Sequence, residues 1–191
     1  MSDKNLEMNE CASSSDAVRR MQFLQRVHDE NFHPEIARLD LSRRMVHLVL
    51  HLAKYSGDMR NAELNGDHEG YRRAVVDAII IASSGSTALH INLIDVCVLH
   101  GASDPGEFRD QMMISVGRIA KAVESLDHVE NYPSRKVLNE EFPRIFWSAY
   151  REVERLEGDV IKLVNSRLSS VRSKHIFYRE IMDGLGNDLL E

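Results

Sequence analysis

Hydrophobic residues recur at three- and four-residue steps along most of the chain, which is the spacing of an amphipathic α-helix. The first such segment begins at Asp16, and its apolar positions share one helical face: Val18, Met21, Leu24 and Val27. No stretch alternates convincingly between apolar and polar residues, so the pattern predicts no β-sheet. We therefore expect an all-α protein, a packed bundle of six or seven helices.

Turn signals divide this pattern into separate helices. Asp40-Leu-Ser42 is a typical helix start, and the helix that follows is expected to reach Leu64. Asn65-Gly66-Asp67 predicts a turn, after which a second long helix is expected from His68 to Leu89. The clearest linker is Ser103-Asp104-Pro105-Gly106. Beyond it, helices are expected over 107–126, 139–156 and 159–182, with every proline near a helix end or first turn.

Two helical halves are expected on either side of that linker, 17–102 and 107–191. Residues 1–16, rich in serine, asparagine and acid, are expected to form a disordered leader. At an offset of 60 residues, four pairs of positions match: Gly57 and Gly117, Ala62 and Ala122, Asp67 and Asp127, His68 and His128. The match predicts two copies of a helix–turn–helix unit packed back to back, the alternative being the shared composition of helical proteins.

Composition narrows the classes of protein that fit. The 191 residues carry a net charge of −6, which disfavours broad nucleic-acid binding through a basic surface. Only two cysteines occur, Cys11 and Cys97, which argues against a disulfide framework and fits a reducing cytosol. No apolar run approaches the roughly 20 residues of a membrane span. A cytoplasmic location without membrane association is expected. The sequence leaves open whether the protein forms a homo-oligomer.

One helix carries a polar stripe. His47, His51, Lys54 and Asp58 stand at i, i+4, i+7 and i+11, which places all four on one face. Because leucines flank this face, the stripe either faces water or lines an internal site. The sequence leaves both interpretations open.

A single carboxylate interrupts the most apolar helix. Asp77 lies in Ala74-Val-Val-Asp77-Ala-Ile-Ile-Ile-Ala82, and a buried carboxylate requires a partner. One interpretation is a structural ion pair with Lys54, Arg43 or Arg44. The other is a metal ligand or a residue of a phosphate site. In either case we predict the charged groups of Lys54 and Asp77 to lie close together on adjacent helices.

Residues 45–96 resemble a known family. The segments H-L-A-K-Y-S-G-D-M, A-E-L-N-G-D, Y-R-R-A-V-V-D-A-I-I-I-A and L-H-I-N-L resemble the all-alpha NTP pyrophosphohydrolases of the MazG type. That family reads roughly H-L-x-E-E-x-G-E-L, then G-D, then E-L-x-D-V-L. The resemblance implies an all-α fold and hydrolysis of a nucleoside triphosphate to the monophosphate and pyrophosphate, with Mg²⁺ held by carboxylates.

The acidic motif departs from the family's pattern. Lys54 and Tyr55 stand where the two leading glutamates belong, and Ala74 replaces another. The resemblance leaves Asp58 and Asp77 as catalytic residues and Mg²⁺ ligands. In the matching second half only Glu141 is acidic, with Ser115 and Arg118 at other motif positions.

The expected substrate-binding residues are Lys54, which would neutralise phosphate charge, together with His51 and His47. The function implied is that of a Mg²⁺-dependent nucleotide pyrophosphohydrolase. The alternative is a catalytically inactive module of the same fold that binds a nucleotide, another phosphorylated small molecule or a protein, with Lys54 as a direct phosphate contact.

The sequence contains two further notable runs, one of small residues and one of basic residues. Ser83-Ser84-Gly85-Ser86 lies inside a helical pattern without a lysine, so it predicts close helix packing and not a phosphate-binding loop. The basic run from Arg167 to Arg179 either contacts a phosphate or an acidic partner, or complements the dipole at a helix end.

Overall fold

The computed structural model describes residues 3–99, 105–128 and 130–185, with side chains for 15–96, 108–128 and 130–185. These residues contain α-helices, one 3-10 helix and no strand, which confirms the all-α prediction. The α-helices are α1 (Asp3–Phe32), α2 (Pro34–Ala37), α3 (Leu41–Asn65), α4 (His68–Ala88), α5 (Pro105–Glu124), α6 (Ser134–Arg155), α7 (Val160–Arg172) and α8 (Tyr178–Leu185). The 3-10 helix spans Leu93–Leu99.

Aspartates cap three of these helices. The side chains of Asp40, Asp67 and Asp159 accept hydrogen bonds from backbone N–H groups in the first turns of α3, α4 and α7. Gly66 ends α3 with a φ of 66°, a left-handed conformation that glycine adopts without strain. The helix start at Asp40 and the turn at 65–67 are thus confirmed.

The structure differs from the sequence-based expectations at several boundaries. Helix α1 reaches back to Asp3, so it overlaps the segment expected to be a leader. The single helix expected over 159–182 is instead α7 and α8, because the chain turns after Ser173 and the His175 ring accepts a hydrogen bond from the Phe177 N–H at 3.2 Å. Within the expected linker, Pro105 already belongs to α5, while 103 and 104 lie outside the described residues.

Pro143 was expected near a first turn, and this expectation is wrong. Helix α6 begins at Ser134, five residues earlier than predicted, with Pro133 as its N-cap. Pro143 therefore lies in the helix interior, where it supplies no N–H to the helical hydrogen-bond ladder.

Two helical hairpins form the centre of the molecule. The short turn at 66–67 makes α3 and α4 one hairpin, and α5 and α6 form the other. Helix α4 packs against both α3 and α6, while α3 also packs against α5. The duplication, in which α3 would correspond to α5 and α4 to α6, stays a prediction, because it concerns how the two hairpins superpose. Helices α1 and α7 cover another side of α4.

Helix α4 is buried on nearly all sides because of this central position. Its apolar core residues include Val75, Ala78, Ile79 and Ala82, each without solvent exposure. Gly85 lies so close to the ring of Phe142 on α6 that an added Cβ would overlap it. Ser83, Ser84 and Ser86 beside it are also buried. The contact at Gly85 confirms that this run permits close helix packing.

Among the described helices, none combines the length and the apolar character needed to cross a lipid bilayer.

Candidate functional site

Asp77 has an arginine from α7 as its partner. Its Oδ1 accepts a hydrogen bond from Nε of Arg167 at 2.6 Å, and its Oδ2 accepts one from Nη2 at 2.8 Å. The Asp77 side chain is 10% exposed and that of Arg167 is 28% exposed. The carboxylate is thus compensated by a bidentate, largely buried ion pair that joins α4 to α7.

The cations predicted from sequence as partners of Asp77 all lie elsewhere. Lys54 is exposed, and its Nζ lies 4.3 Å from the centroid of the Tyr55 ring. Arg43 pairs with Asp40 at 3.5 Å, and Arg44 with Asp29 at 3.4 Å. The predicted Lys54–Asp77 pair is wrong because α7 covers the face of α4 that carries Asp77. Arg167 belongs to the basic run singled out from sequence, but nothing in the sequence connects it to a residue 90 positions earlier.

A polar groove between α3 and α4 contains both predicted catalytic aspartates. It encloses about 300 Å³ and is lined by Asp58, Asn61, Ala62, Asn65, Asp67, Gly70, Arg73, Ala74 and Asp77. The structure therefore brings Asp58 and Asp77 to one groove. Both oxygens of Asp77, however, already accept hydrogen bonds from Arg167. Within the described ranges, no group of three or more His, Cys, Asp or Glu side chains is arranged to hold a metal ion.

A second cavity lies on the other side of Asp77. It encloses about 340 Å³ between α1, α2, α3, α4 and α7. We call it the histidine cavity, because four histidines line it: His28, His33, His47 and His51. Two of the three predicted substrate-binding residues, His47 and His51, thus line one partly open cavity, with the Asp77–Arg167 pair in its wall. Lys54 does not contribute to its lining.

Burial favours the neutral form of three of these histidines, His28, His47 and His51. Burial is the main cause that lowers the pKa of His47 and of His51 below the ordinary value. Burial, with smaller contributions from His33 and Arg172, lowers the pKa of His28 to about 3. Their rings therefore offer hydrogen-bonding nitrogens to a ligand without a fixed positive charge at neutral pH.

The opposite end of the histidine cavity is formed around Asp29 of α1. Its Oδ2 accepts a hydrogen bond from Ser84 Oγ at 2.6 Å, and its Oδ1 accepts one from Gln25 Nε2 at 2.8 Å. Arg44 Nη2 lies 3.4 Å from the same carboxylate. Burial raises the pKa of Asp29, while the bonds from Ser84 and Arg44 oppose that rise. Asp29 and Gln25 were not predicted as site residues, because their spacing on α1 indicates only that they share a helix face.

The two polar ends are separated by an apolar middle. Asp77 and Ser84 are seven residues apart on α4, which corresponds to roughly 10 Å along the helix axis. Aliphatic side chains line the cavity between them: Leu48, Ile80, Ile81 and Leu168. The cavity thus has the size and the mixed lining that are typical of small-molecule sites.

The second hairpin also carries a buried carboxylate with an arginine partner. Glu141 of α6, the acidic motif position of the matching second half, has a side chain only 3% exposed, while that of Arg118 is 51% exposed. It accepts hydrogen bonds from Ser115 Oγ at 2.7 Å and from Arg118 Nη1 at 3.0 Å. In both hairpins, an arginine thus compensates the buried carboxylate.

Comparison of the chain with protein-family models, with curated proteins and with solved structures finds no match. The fold and the site together define an all-α protein with a ligand-sized, partly open cavity between two arginine-paired carboxylates.

Proposed function

We propose that the protein is a helical binding module for a nucleotide or another phosphorylated small molecule, which it binds without Mg²⁺-dependent hydrolysis. The observation that carries this proposal is the bidentate pair between Asp77 and Arg167. The MazG-like resemblance requires a metal ligand at Asp77, and a guanidinium group now takes up both of its oxygens.

The same arginine supplies the contact for a phosphate. Asp77 uses Nε and Nη2 of Arg167, so this pair leaves the Nη1 donors for another acceptor. Arg167, His47 and His51 all line the histidine cavity. A phosphate at this end would accept hydrogen bonds from the guanidinium and from the imidazoles, which is a recognition mode that needs no metal.

Mg²⁺-dependent nucleoside triphosphate pyrophosphohydrolysis is the second candidate function. It is favoured by one observation, namely that Asp58 and Asp77 line the same groove. Mg²⁺ prefers octahedral coordination by oxygen. With these two carboxylates as the protein ligands, water and substrate oxygens would supply the rest, and Arg167 would have to leave Asp77.

Thermal unfolding with nucleotides in EDTA and in Mg²⁺ tests the two functions. For the binding module, nucleoside mono- or triphosphates raise the melting temperature in EDTA, Mg²⁺ alone does not, and no pyrophosphate is released. Pyrophosphate release that depends on Mg²⁺ and is lost in Asp58→Asn would overturn the proposal in favour of the hydrolase.

A double variant, Asp77→Leu with Arg167→Met, tests the binding residue without leaving a buried charge unpaired. Replacing both partners of a buried ion pair by apolar groups is often neutral for stability. We expect it to fold and to lose the shift caused by nucleotide. Lys54→Ala is the matched control and should keep that shift, because Lys54 lies outside the cavity.

A further inference from the structure

The Asp29 end of the histidine cavity is rich in hydrogen-bond acceptors. A carboxylate offers about four acceptor sites, and Asp29 has donors from Gln25, Ser84 and Arg44. The amide oxygen of Gln25, whose side chain also lines the cavity, is buried and has no hydrogen-bond partner in the described part of the chain. A buried carbonyl oxygen without a donor is costly, so a donor from a ligand would be favourable here.

The charge at this end is already balanced. The side chains of Asp29 and Arg44 are 15% and 16% exposed, and the two form an ion pair. A second cation would therefore lack an uncompensated carboxylate to bind. The fitting group is a neutral N–H donor, which the unpartnered amide oxygen of Gln25 would accept.

The distance between the two ends sets the size of the ligand. The phosphate contact at Arg167 lies near Asp77, and Ser84, roughly 10 Å farther along α4, donates a hydrogen bond to Asp29. A nucleoside monophosphate has a comparable length between its phosphate and the far edge of its base. Its base would lie along the apolar middle, where Leu48 and Ile80 line the wall.

We propose that the Asp29 end of the histidine cavity recognises an exocyclic amino group, so that the protein selects nucleotides of cytosine or adenine over those of uracil or hypoxanthine. This inference rests on the proposed nucleotide binding and adds the chemical class of the base. Gln25 and Asp29 are the residues that confer the preference. The amino group of cytosine or adenine can donate hydrogen bonds to their oxygens, whereas the carbonyl oxygen of uracil or hypoxanthine would face two other acceptors.

The test compares ligands that differ only at this group. Binding of cytidine and uridine 5′-monophosphates, and of adenosine and inosine 5′-monophosphates, is measured by calorimetry in EDTA on the full chain. The amino-bearing member of each pair should bind about tenfold more tightly, since an unmatched buried acceptor costs a factor of this order. Gln25→Leu should reduce the preference by weakening the binding of the amino-bearing member, while Arg26→Gln on the exposed side of α1 should preserve it.

The outcomes separate the two proposals. Equal affinity within each pair, or tighter binding of the carbonyl-bearing member, overturns the inference about the base and leaves the binding module standing. If no nucleotide binds at all, the proposed binding of nucleotides fails, and the inference about the base fails with it. The comparison on the unmodified chain decides the question even if Gln25→Leu does not fold.

Discussion

At the scale of single residues, the ion pair between Asp77 and Arg167 has the largest consequences. It is buried, it is bidentate, and it joins two helices that are distant in sequence. Its first role is structural, since it holds α7 against α4. Its second role, in the proposed function, is to orient the guanidinium toward the histidine cavity.

Removal of one partner of this pair should therefore destabilise the fold. We expect Asp77→Asn to lower the free energy of unfolding by about 3 kcal/mol, because it leaves the Arg167 charge without its counter-ion in a largely buried setting. Lys54→Ala should change it by no more than about 0.5 kcal/mol, because this side chain is exposed. Urea denaturation of both variants measures the difference. An equal loss in the two variants would restore Lys54 as the partner of Asp77.

His28 should make stability depend on pH. Its pKa falls from 6.5 to about 3 on folding, because burial disfavours the charged ring. The unfolded chain therefore binds a proton that the folded chain does not between these values. The stabilisation is fully present above about pH 6.5 and is lost at about 1.4 kcal/mol per pH unit as the pH falls below it.

The measurement is the free energy of unfolding at pH 7 and at pH 5. In the unmodified protein this residue should account for a loss of about 2 kcal/mol between the two. His28→Leu should show a correspondingly smaller loss. His128→Gln, at an exposed position, should behave like the unmodified protein. The same pH dependence in His28→Leu would contradict the assignment.

At the scale of elements, the close approach of α4 and α6 explains why Gly85 lies in the last turns of α4. Gly85 faces the ring of Phe142 with no room for a Cβ, and Ser84 and Ser86 beside it are buried. A larger side chain would force the two helices apart, and α4 is the helix whose residues form one wall of each cavity.

A pair of glycine variants tests this contact. Gly85→Ala should destabilise the protein by about 1–3 kcal/mol, because the added methyl overlaps the Phe142 ring in a packed core. Gly117→Ala on α5 meets nothing within 4 Å, so it should stabilise by about 0.5–1 kcal/mol through helix propensity alone. Thermal or urea unfolding of the two variants should show shifts of opposite sign. Stabilisation by both would mean that α4 and α6 are not in contact at Gly85.

At the scale of the whole molecule, the burial of the helices predicts a gradient of local stability. Helix α4 lies at the centre, packed against α1, α3, α6 and α7. Helix α8 at the other extreme has no buried residue. The amides of α4 should exchange with solvent only by global unfolding, because their protection depends on the complete core.

Hydrogen exchange followed by mass spectrometry measures this gradient. Peptides from α8 should exchange orders of magnitude faster than those from α4, and a stabilising ligand in the histidine cavity should slow exchange in α1, α3, α4 and α7 together. Protection of α8 equal to that of α4 would show that the C-terminal helix is part of the cooperative core.

Much of the fold was predictable from local patterns. The helical periodicity, the helix start at Asp40 and the turn at Asn65-Gly66-Asp67 depend on residues a few positions apart, and these predictions are confirmed. The packing of the Ser83–Ser86 run was predictable for the same reason. Boundaries near prolines were less accurate, and Pro143 lies inside a helix because Pro133 provides the start.

The candidate site was only partly predictable. The polar stripe on α3 indicated His47, His51 and Asp58, and the need of Asp77 for a partner followed from its apolar neighbours. Which face of α3 meets which cavity depends on the rotation of the helix in the bundle, and that rotation separates Lys54 from the histidines.

The sequence by itself determined the helices, their caps and the requirement that a buried carboxylate be compensated, because each of these follows from neighbouring residues and from the cost of burying charge. The tertiary structure decided which residue is the partner of each buried carboxylate. Arg167 reaches Asp77 only when α7 packs across α4, and Asp29 reaches Ser84 only when α1 does. Contacts over 90 and 55 residues depend on how whole helices pack, and no local pattern in the chain encodes that choice.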